Sequence, residues 1–118
     1  MRFHHYALEV KNMEESLAFY KKYLSFQEES RLSFMGEVIV FLVLGDFRLE
    51  LISGRQAIDQ TAHICFEVSS VLEVMNRFAE VRKIEGPYEL DNGWNTVFYE
   101  GPDREIIEFL QTKLNTLG

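Results

Sequence analysis

The chain is short of the parts that several common kinds of protein need. A single cysteine, Cys65, leaves no partner for an internal disulfide, so the fold has to rest on its core. No window approaches the roughly 18 consecutive apolar residues of a membrane span. The opening Met1-Arg2-Phe3-His4-His5 lacks the uninterrupted apolar stretch of a signal peptide. Positive charge is scarce too, with twelve Lys and Arg against nineteen Asp and Glu and a formal net charge of −7. Such a field repels a nucleic-acid backbone and an anionic membrane surface, which makes a small molecule the better partner; the lone cysteine and the lack of signal-like or membrane-spanning stretches make a reducing cytoplasm the expected compartment. There is no low-complexity segment, glycine-rich phosphate loop, Cys-pair zinc motif or nucleophile elbow.

What is present is an internal echo. Displaced by 58 positions, His5 falls on His63 and Glu50 on Glu108. The neighbours repeat with them: His5-Tyr6-Ala7-Leu8-Glu9-Val10 lies over His63-Ile64-Cys65-Phe66-Glu67-Val68, and Leu49-Glu50-Leu51-Ile52 over Ile107-Glu108-Phe109-Leu110. With 118 residues, 47% of them hydrophobic, the chain can bury one core. One domain spanning 1–118 is therefore expected, built from module 1 at about 1–54 and module 2 at about 61–112.

Residues 2–10 alternate with the period of a half-buried strand, Tyr6, Leu8 and Val10 on one side and Phe3, His5, Ala7 and Glu9 on the other. Asn12 and Glu15 then read as a helix start, as do Ser70 and Glu73 at the same offset. Helices are expected from Met13 to Leu24 and from Val71 to Val81, the second burying Val71, Val74, Met75 and Phe78. Strands follow at Phe26 to Phe34, Glu37 to Leu44 and Phe47 to Ser53, then at Tyr88 to Asp91, Trp94 to Glu100 and Glu105 to Gln111. Turn signals separate them at Gly36, Gly45-Asp46, Asn92-Gly93 and Gly101-Pro102-Asp103, and Gly54 to Gln60 connects the modules. Each module is thus β-α-β-β-β, an α+β fold.

His5 and His63 both stand opposite the apolar face of their strand, while Glu50 and Glu108 are each flanked by apolar residues. A carboxylate in such surroundings is costly unless something pairs with it. Lys or Arg would serve, yet a divalent metal would satisfy both carboxylates at once. Two imidazoles and two carboxylates suit a first-row ion such as Zn, Ni, Co, Mn or Fe. The competing reading, a satisfied strand histidine and a solvent-facing glutamate, fits each residue alone better than it fits all four in register. Other residues carry less. Cys65, on the face of His63, reads as a small hydrophobe. His4 is expected to face away from His5, Trp94, Phe98 and Tyr99 read as core, and Arg48, on the side of Glu50, should meet a nearby carboxylate or an anionic substrate group.

The stretch from His5 to Tyr20, with its Ser-x-x-Phe-Tyr ending, Ala62 to Val68, and Gly101 to Phe109 together resemble the vicinal oxygen chelate (glyoxalase/bleomycin resistance/dioxygenase) superfamily, and within it glyoxalase I, the lactoylglutathione lyase group. The resemblance implies paired βαβββ modules curved into an open barrel around an ion held by His5, Glu50, His63 and Glu108. It also implies a homodimer, with each metal site completed within one chain or across two. The implied activity is that of a metal-dependent lyase or isomerase. A substrate with oxygens on adjacent carbons chelates the ion and a carboxylate, Glu108 first and Glu50 second, moves the intervening proton. Glutathione-using bacterial relatives resemble one another in an arginine on the first strand and an asparagine after the second ligand. Glu9 and Ser53-Gly54 stand there instead, and a carboxylate at Glu9 repels those of glutathione. The alternatives within the resemblance are a non-enzymatic antibiotic-binding protein, an epimerase and a thiol transferase.

Overall fold

The computed structural model describes residues 2–34, 36–54 and 63–112. The elements run β1 (Tyr6–Glu9), α1 (Met13–Leu24), β2 (Gln27–Phe34), β3 (Glu37–Leu44), β4 (Phe47–Ser53), β5 (His63–Glu67), α2 (Val71–Arg77), β6 (Lys83–Glu89), β7 (Asn95–Glu100) and β8 (Ile106–Gln111). The chain divides into two compact units, Met1–Gln60 and Thr61–Gly118. Hydrogen bonding groups the strands into two four-stranded mixed sheets, ordered β1-β4-β3-β2 and β5-β8-β7-β6. This is the expected α+β pair of βαβββ modules. The connector over residues 55–60, and Thr61, lie outside the described residues.

The first helix forms because its start and stop are both written locally. Asn12 Oδ1 accepts the Glu15 N–H at 2.9 Å, and Glu14 and Glu15 occupy the positive end of the helix dipole. The helix ends at Ser25, in left-handed conformation at φ 61, and the Phe26 N–H closes back on the Tyr20 carbonyl at 3.1 Å. Leu17, Tyr20 and Leu24 are buried on the side that packs on β4. There Leu49 and Leu51 point into the core from either side of Glu50. Each such side chain contributes about 1.5–3 kcal/mol by leaving water.

The second unit uses the same plan with a shorter helix. Ser70 Oγ accepts the Glu73 N–H at 3.2 Å, but α2 ends at Arg77, four residues before the Val81 expected from periodicity. Val71 and Phe78 are buried while Val74 and Met75 are only half-buried, so the inner stripe is too thin to hold more turns. Phe78 instead caps the helix and packs on Tyr99 and Phe109, with ring centroids 4.9 Å from each. The Val71 N–H donates to Gln111 Oε1 at 2.9 Å, tying the helix start to the end of β8.

Strand limits differ from the sequence reading by one residue at the starts of β2, β7 and β8 and by more at β1 and β6. β1 begins at Tyr6, so Phe3, His4 and His5 precede it and no strand alternation governs them. β6 starts at Lys83, well before the expected Tyr88, and runs through Gly86 and Pro87. Its register on β7 is irregular between Lys83 and Glu85 and again between Glu85 and Tyr88. Gly86 is required at the second irregularity. Its φ is +96 and a Cβ would meet the Thr96 carbonyl at 3.0 Å.

The repeat also slips by one residue. Phe41 pairs with Glu50 and Phe98 with Glu108, so β3 and β7 correspond at an offset of 57 while β4 and β8 keep 58. The hairpin turns absorb the difference. Leu44 faces Phe47 across Gly45-Asp46, whereas the Gly101 N–H donates to the Glu105 carbonyl at 2.8 Å across three residues. In that longer turn Arg104 is left-handed at φ 66, and the buried Glu105 carboxylate accepts the Asp103 N–H at 2.7 Å. Gly101 leaves the space that the Glu105 side chain fills.

Candidate functional site

Each unit sets one histidine beside one glutamate on the face of the sheet away from its helix. In the first, His5 Nε2 lies 3.4 Å from Glu50 Oε1. In the second, His63 Nε2 lies 2.8 Å from Glu108 Oε1. The two carboxylates are equally sheltered, with side chains 14% and 15% exposed, while the imidazoles are more open at 34% and 48%. The strand ladder makes the pairs equivalent. Glu50 has Ala7 on one side and Phe41 on the other, and Glu108 has Cys65 and Phe98. Those two phenylalanines lie near the imidazoles, with ring centroids 5.3 Å from His5 and 6.1 Å from His63.

Beyond the ladder the pairs differ. His4 does not face away from His5; the two Nδ1 atoms are 2.8 Å apart and the rings meet edge to face. One of those nitrogens must carry a proton for the contact to be a hydrogen bond, and a His5 proton on Nδ1 leaves Nε2 with its lone pair toward Glu50. In the second unit the added partner belongs to the carboxylate. Thr96 Oγ1 donates to Glu108 Oε2 at 2.6 Å, from a residue only 3% exposed. Neither His4 nor Thr96 was singled out from the sequence in this role. A polar residue two positions from Phe98 on the site face of β7 was the available signal for Thr96, but it becomes informative only once the β7–β8 register is known.

The remaining candidates sort as follows. Cys65 is exposed, and partial burial of its sulfur together with the charge and hydrogen-bond acceptance of Glu108 pushes the thiol up to about 11. It stays protonated near neutrality, which removes it as a nucleophile. Arg48 is taken by a carboxylate, with its Nε 2.8 Å and Nη2 2.9 Å from the two Glu29 oxygens, and its Nη1 donates to the His4 carbonyl at 3.2 Å. This bidentate hold keeps the Glu29 carboxyl below its ordinary range. A cavity of about 480 Å³ in the first unit is lined by Arg2, Phe3, Glu29, Asp46 and Arg48 among others, and neither His5 nor Glu50 borders it. Tyr99 is core, whereas Trp94 is exposed.

Imidazole nitrogen and carboxylate oxygen are the donors a first-row divalent ion takes, and each unit presents one of each within a few ångströms. Two donors alone do not make a protein metal site. No group of three or more His, Cys, Asp or Glu side chains able to hold an ion occurs among the described residues. No helix among those residues is long and apolar enough to cross a membrane.

A duplicated βαβββ fold with one His/Glu pair at the same place in each copy defines a class, the paired-module α+β proteins with polar residues on the sheet faces away from the helices. The family model described as the Glyoxalase/Bleomycin resistance protein/Dioxygenase superfamily matches residues 2–109, and the chain belongs to that superfamily. No curated protein matches the sequence. Among solved structures, the fosfomycin resistance protein FosX from Listeria monocytogenes is similar at 19% identity and a TM-score of 0.80, covering 97% of this chain and 95% of its own. A variant of FosX complexed with Mn(II) and 1S,2S-dihydroxypropylphosphonic acid gives 18% identity and a TM-score of 0.81 over 96% and 93% of the two chains. A glyoxalase family protein from Enterococcus faecalis is similar at 22% identity, 92% and 96% coverage and a TM-score of 0.80.

Proposed function

We propose that the protein is a metal-dependent lyase or isomerase of the glyoxalase I type, working by proton transfer on a small substrate with oxygens on adjacent carbons. The observation that carries this reading is the recurrence of a histidine beside the equivalent strand glutamate in both units. His5, Glu50, His63 and Glu108 would hold one divalent ion, Zn, Ni, Co, Mn or Fe, with the two units acting as one domain. The two pairs meet within one chain or across a homodimer. When bound, the ion supplies Lewis acidity that lowers the cost of negative charge on an oxygen beside the carbon losing its proton.

The residues divide the remaining work. His5 and His63 supply neutral donors. Phe41 and Phe98 place apolar rings beside them, which limits water around the carboxylates. A glutamate takes the proton from one carbon and returns it to the neighbouring one, Glu108 being the first expectation and Glu50 the second. The acidic surroundings, including Glu9 and Glu67 on the first strand of each unit, favour a substrate of low negative charge over glutathione adducts.

A second reading is favoured by the FosX variant complexed with Mn(II) and a ligand that carries hydroxyls on neighbouring carbons. On that reading the same four residues serve an antibiotic-modifying enzyme or an antibiotic-binding protein. Purified protein reconstituted with Ni(II), Co(II) or Zn(II) separates these. The proposal expects metal binding that depends on all four residues, with catalytic rearrangement of a hemithioacetal or another chelating substrate. Absence of four-residue-dependent metal binding would overturn it, and stoichiometric protection from an antibiotic without turnover would favour the binding protein.

A further inference from the structure

We propose that Asn92 is a site of self-driven chemical modification. The tip of the β6–β7 hairpin folds its side-chain amide onto the peptide nitrogen of Gly93, and the residue is converted through a cyclic imide to isoaspartate and aspartate. The site lies wholly within the second unit and does not involve the His/Glu pairs.

Three hydrogen bonds set the geometry. The Leu90 N–H donates to the Trp94 carbonyl at 2.7 Å and the Gly93 N–H to the Leu90 carbonyl at 2.9 Å, closing a tight turn over Leu90-Asp91-Asn92-Gly93. Gly93 leaves that turn left-handed, at φ +89. The third bond belongs to the Asn92 side chain, whose Oδ1 accepts the Trp94 N–H at 3.1 Å. An acceptor that reaches two residues ahead has to turn across the intervening peptide, which brings Asn92 Cγ to the side of the Gly93 nitrogen. Ring closure then needs only atoms already held together.

The surroundings suit that closure. Attack on Cγ places negative charge on Oδ1, and the Trp94 N–H bonded there is the donor that stabilises it. Gly93 has no side chain to cover its nitrogen, and the space beside it is open, since an added Cβ would meet nothing within 4 Å. Asn92 is exposed, so water reaches the turn. Of the five asparagines, Asn12, Asn76, Asn92, Asn95 and Asn115, only Asn92 is followed by glycine. Asn12 is held as the cap of α1, Asn76 lies in α2 and Asn95 in β7.

The bond from Gly93 to the Leu90 carbonyl sets the pace, because the nitrogen must lose its proton to attack. Once that bond opens, water or hydroxide takes the proton and the nitrogen lone pair forms a bond to Cγ. The tetrahedral carbon collapses, its bond to Nδ2 breaks, and Nδ2 leaves as ammonia with a proton from water. Water then adds to one imide carbonyl and breaks its C–N bond. Opening at Cγ gives aspartate, and opening at the main-chain carbonyl leaves the chain running through the side chain as isoaspartate. One water is consumed and one ammonia released, with no oxidation or reduction. Isoaspartate lengthens the main chain inside the turn and so pulls Leu90 and Trp94 out of register. Either product sets a new carboxylate beside Asp91 in a chain whose net charge is already −7.

The test is incubation of the purified protein in mildly alkaline buffer, followed by peptide mass spectrometry and tryptophan emission, for wild type and Asn92→Gln. Trp94 is the only tryptophan, so the emission reports on this tip. Wild type should gain the mass of an amide turned to an acid at Asn92 ahead of the other four asparagines. It should do so as two peptides of equal mass, aspartyl and isoaspartyl, with the emission shifting in step. Asn92→Gln, whose longer side chain would have to close a larger ring, should keep its amide and its emission, with circular dichroism confirming that it is folded. Conversion spread over all the asparagines would overturn the proposal, as would a product that is aspartyl alone, the mark of direct hydrolysis. So would an Asn92 that persists in the folded protein while the urea-unfolded chain converts. None of these outcomes depends on whether the protein binds a metal.

Discussion

In the first unit the imidazole is the held partner, His5 braced by His4, and in the second the carboxylate is, Glu108 braced by Thr96. Equivalent His/Glu pairs thus carry opposite second contacts. The cores differ in the same spirit. The first unit leans on a twelve-residue helix with Met13, Ser16, Leu17, Tyr20 and Leu24 buried, whereas the second has a seven-residue helix and relies on Phe78 wedged against Tyr99 and Phe109. A duplicated fold can keep its His/Glu positions while the contacts that orient them diverge, because the pleat preserves which face a residue occupies and does not specify what touches it from the next strand.

The largest expected effect concerns the cores. Phe78→Ala and Tyr20→Ala should each cost about 3–5 kcal/mol, with Phe78→Ala the worse of the two because so little else anchors α2. Urea denaturation measures both, and a Phe78→Ala loss under about 1 kcal/mol would end the contrast between a broad and a concentrated core. A smaller effect belongs to the braces. His4→Ala should weaken Co(II) binding about 10-fold by freeing the His5 ring, with stability nearly unchanged since His4 is exposed. Unaltered affinity would mean that only the second unit braces its pair.

The smallest effect is a pH dependence that belongs to the first unit. Arg31 lowers the Glu28 carboxyl and Arg48 that of Glu29, each mainly through a side-chain hydrogen bond. Because both carboxyls lie lower in the folded chain than in the unfolded one, their contribution is complete above the ordinary value of 4.5 and fades as pH falls through the lowered values. All four groups are solvated, so the step should be shallow. Thermal melts of wild type and of Arg31→Ala and Arg48→Ala between pH 7 and pH 3 should converge at the acid end. A constant gap across that range would show that the pairs add nothing that titrates.

Much of the site could be read without coordinates. The alternation of β4 and β8 puts Glu50 and Glu108 opposite buried leucines and isoleucine, and the caps at Asn12 and Ser70 are local hydrogen bonds written in a few residues. His4 was misplaced because strand periodicity was extended over residues that precede β1. The early part of β6 is not legible in the sequence because an irregular stretch of strand, with register shifts on either side of Glu85, lacks a clean period-two pattern. The single-residue slip between β3 and β7 was hidden by the exact 58-residue repeat of the two histidines and two glutamates.

By itself the sequence determined the duplication, the order of elements in each copy, the strand face on which Glu50, His63 and Glu108 each stand and the charge that disfavours polyanionic partners. Those are properties of residue type and of periods two and 3.6 along one chain. Only the tertiary structure decided which neighbour orients each pair, that Thr96 reaches Glu108 while Ile39 offers Glu50 nothing comparable, and that Cys65 stands across the ladder from Glu108. Such contacts depend on the register between strands. That register is fixed by turn length and irregularities acting together with the buried faces, and no local pattern encodes it alone.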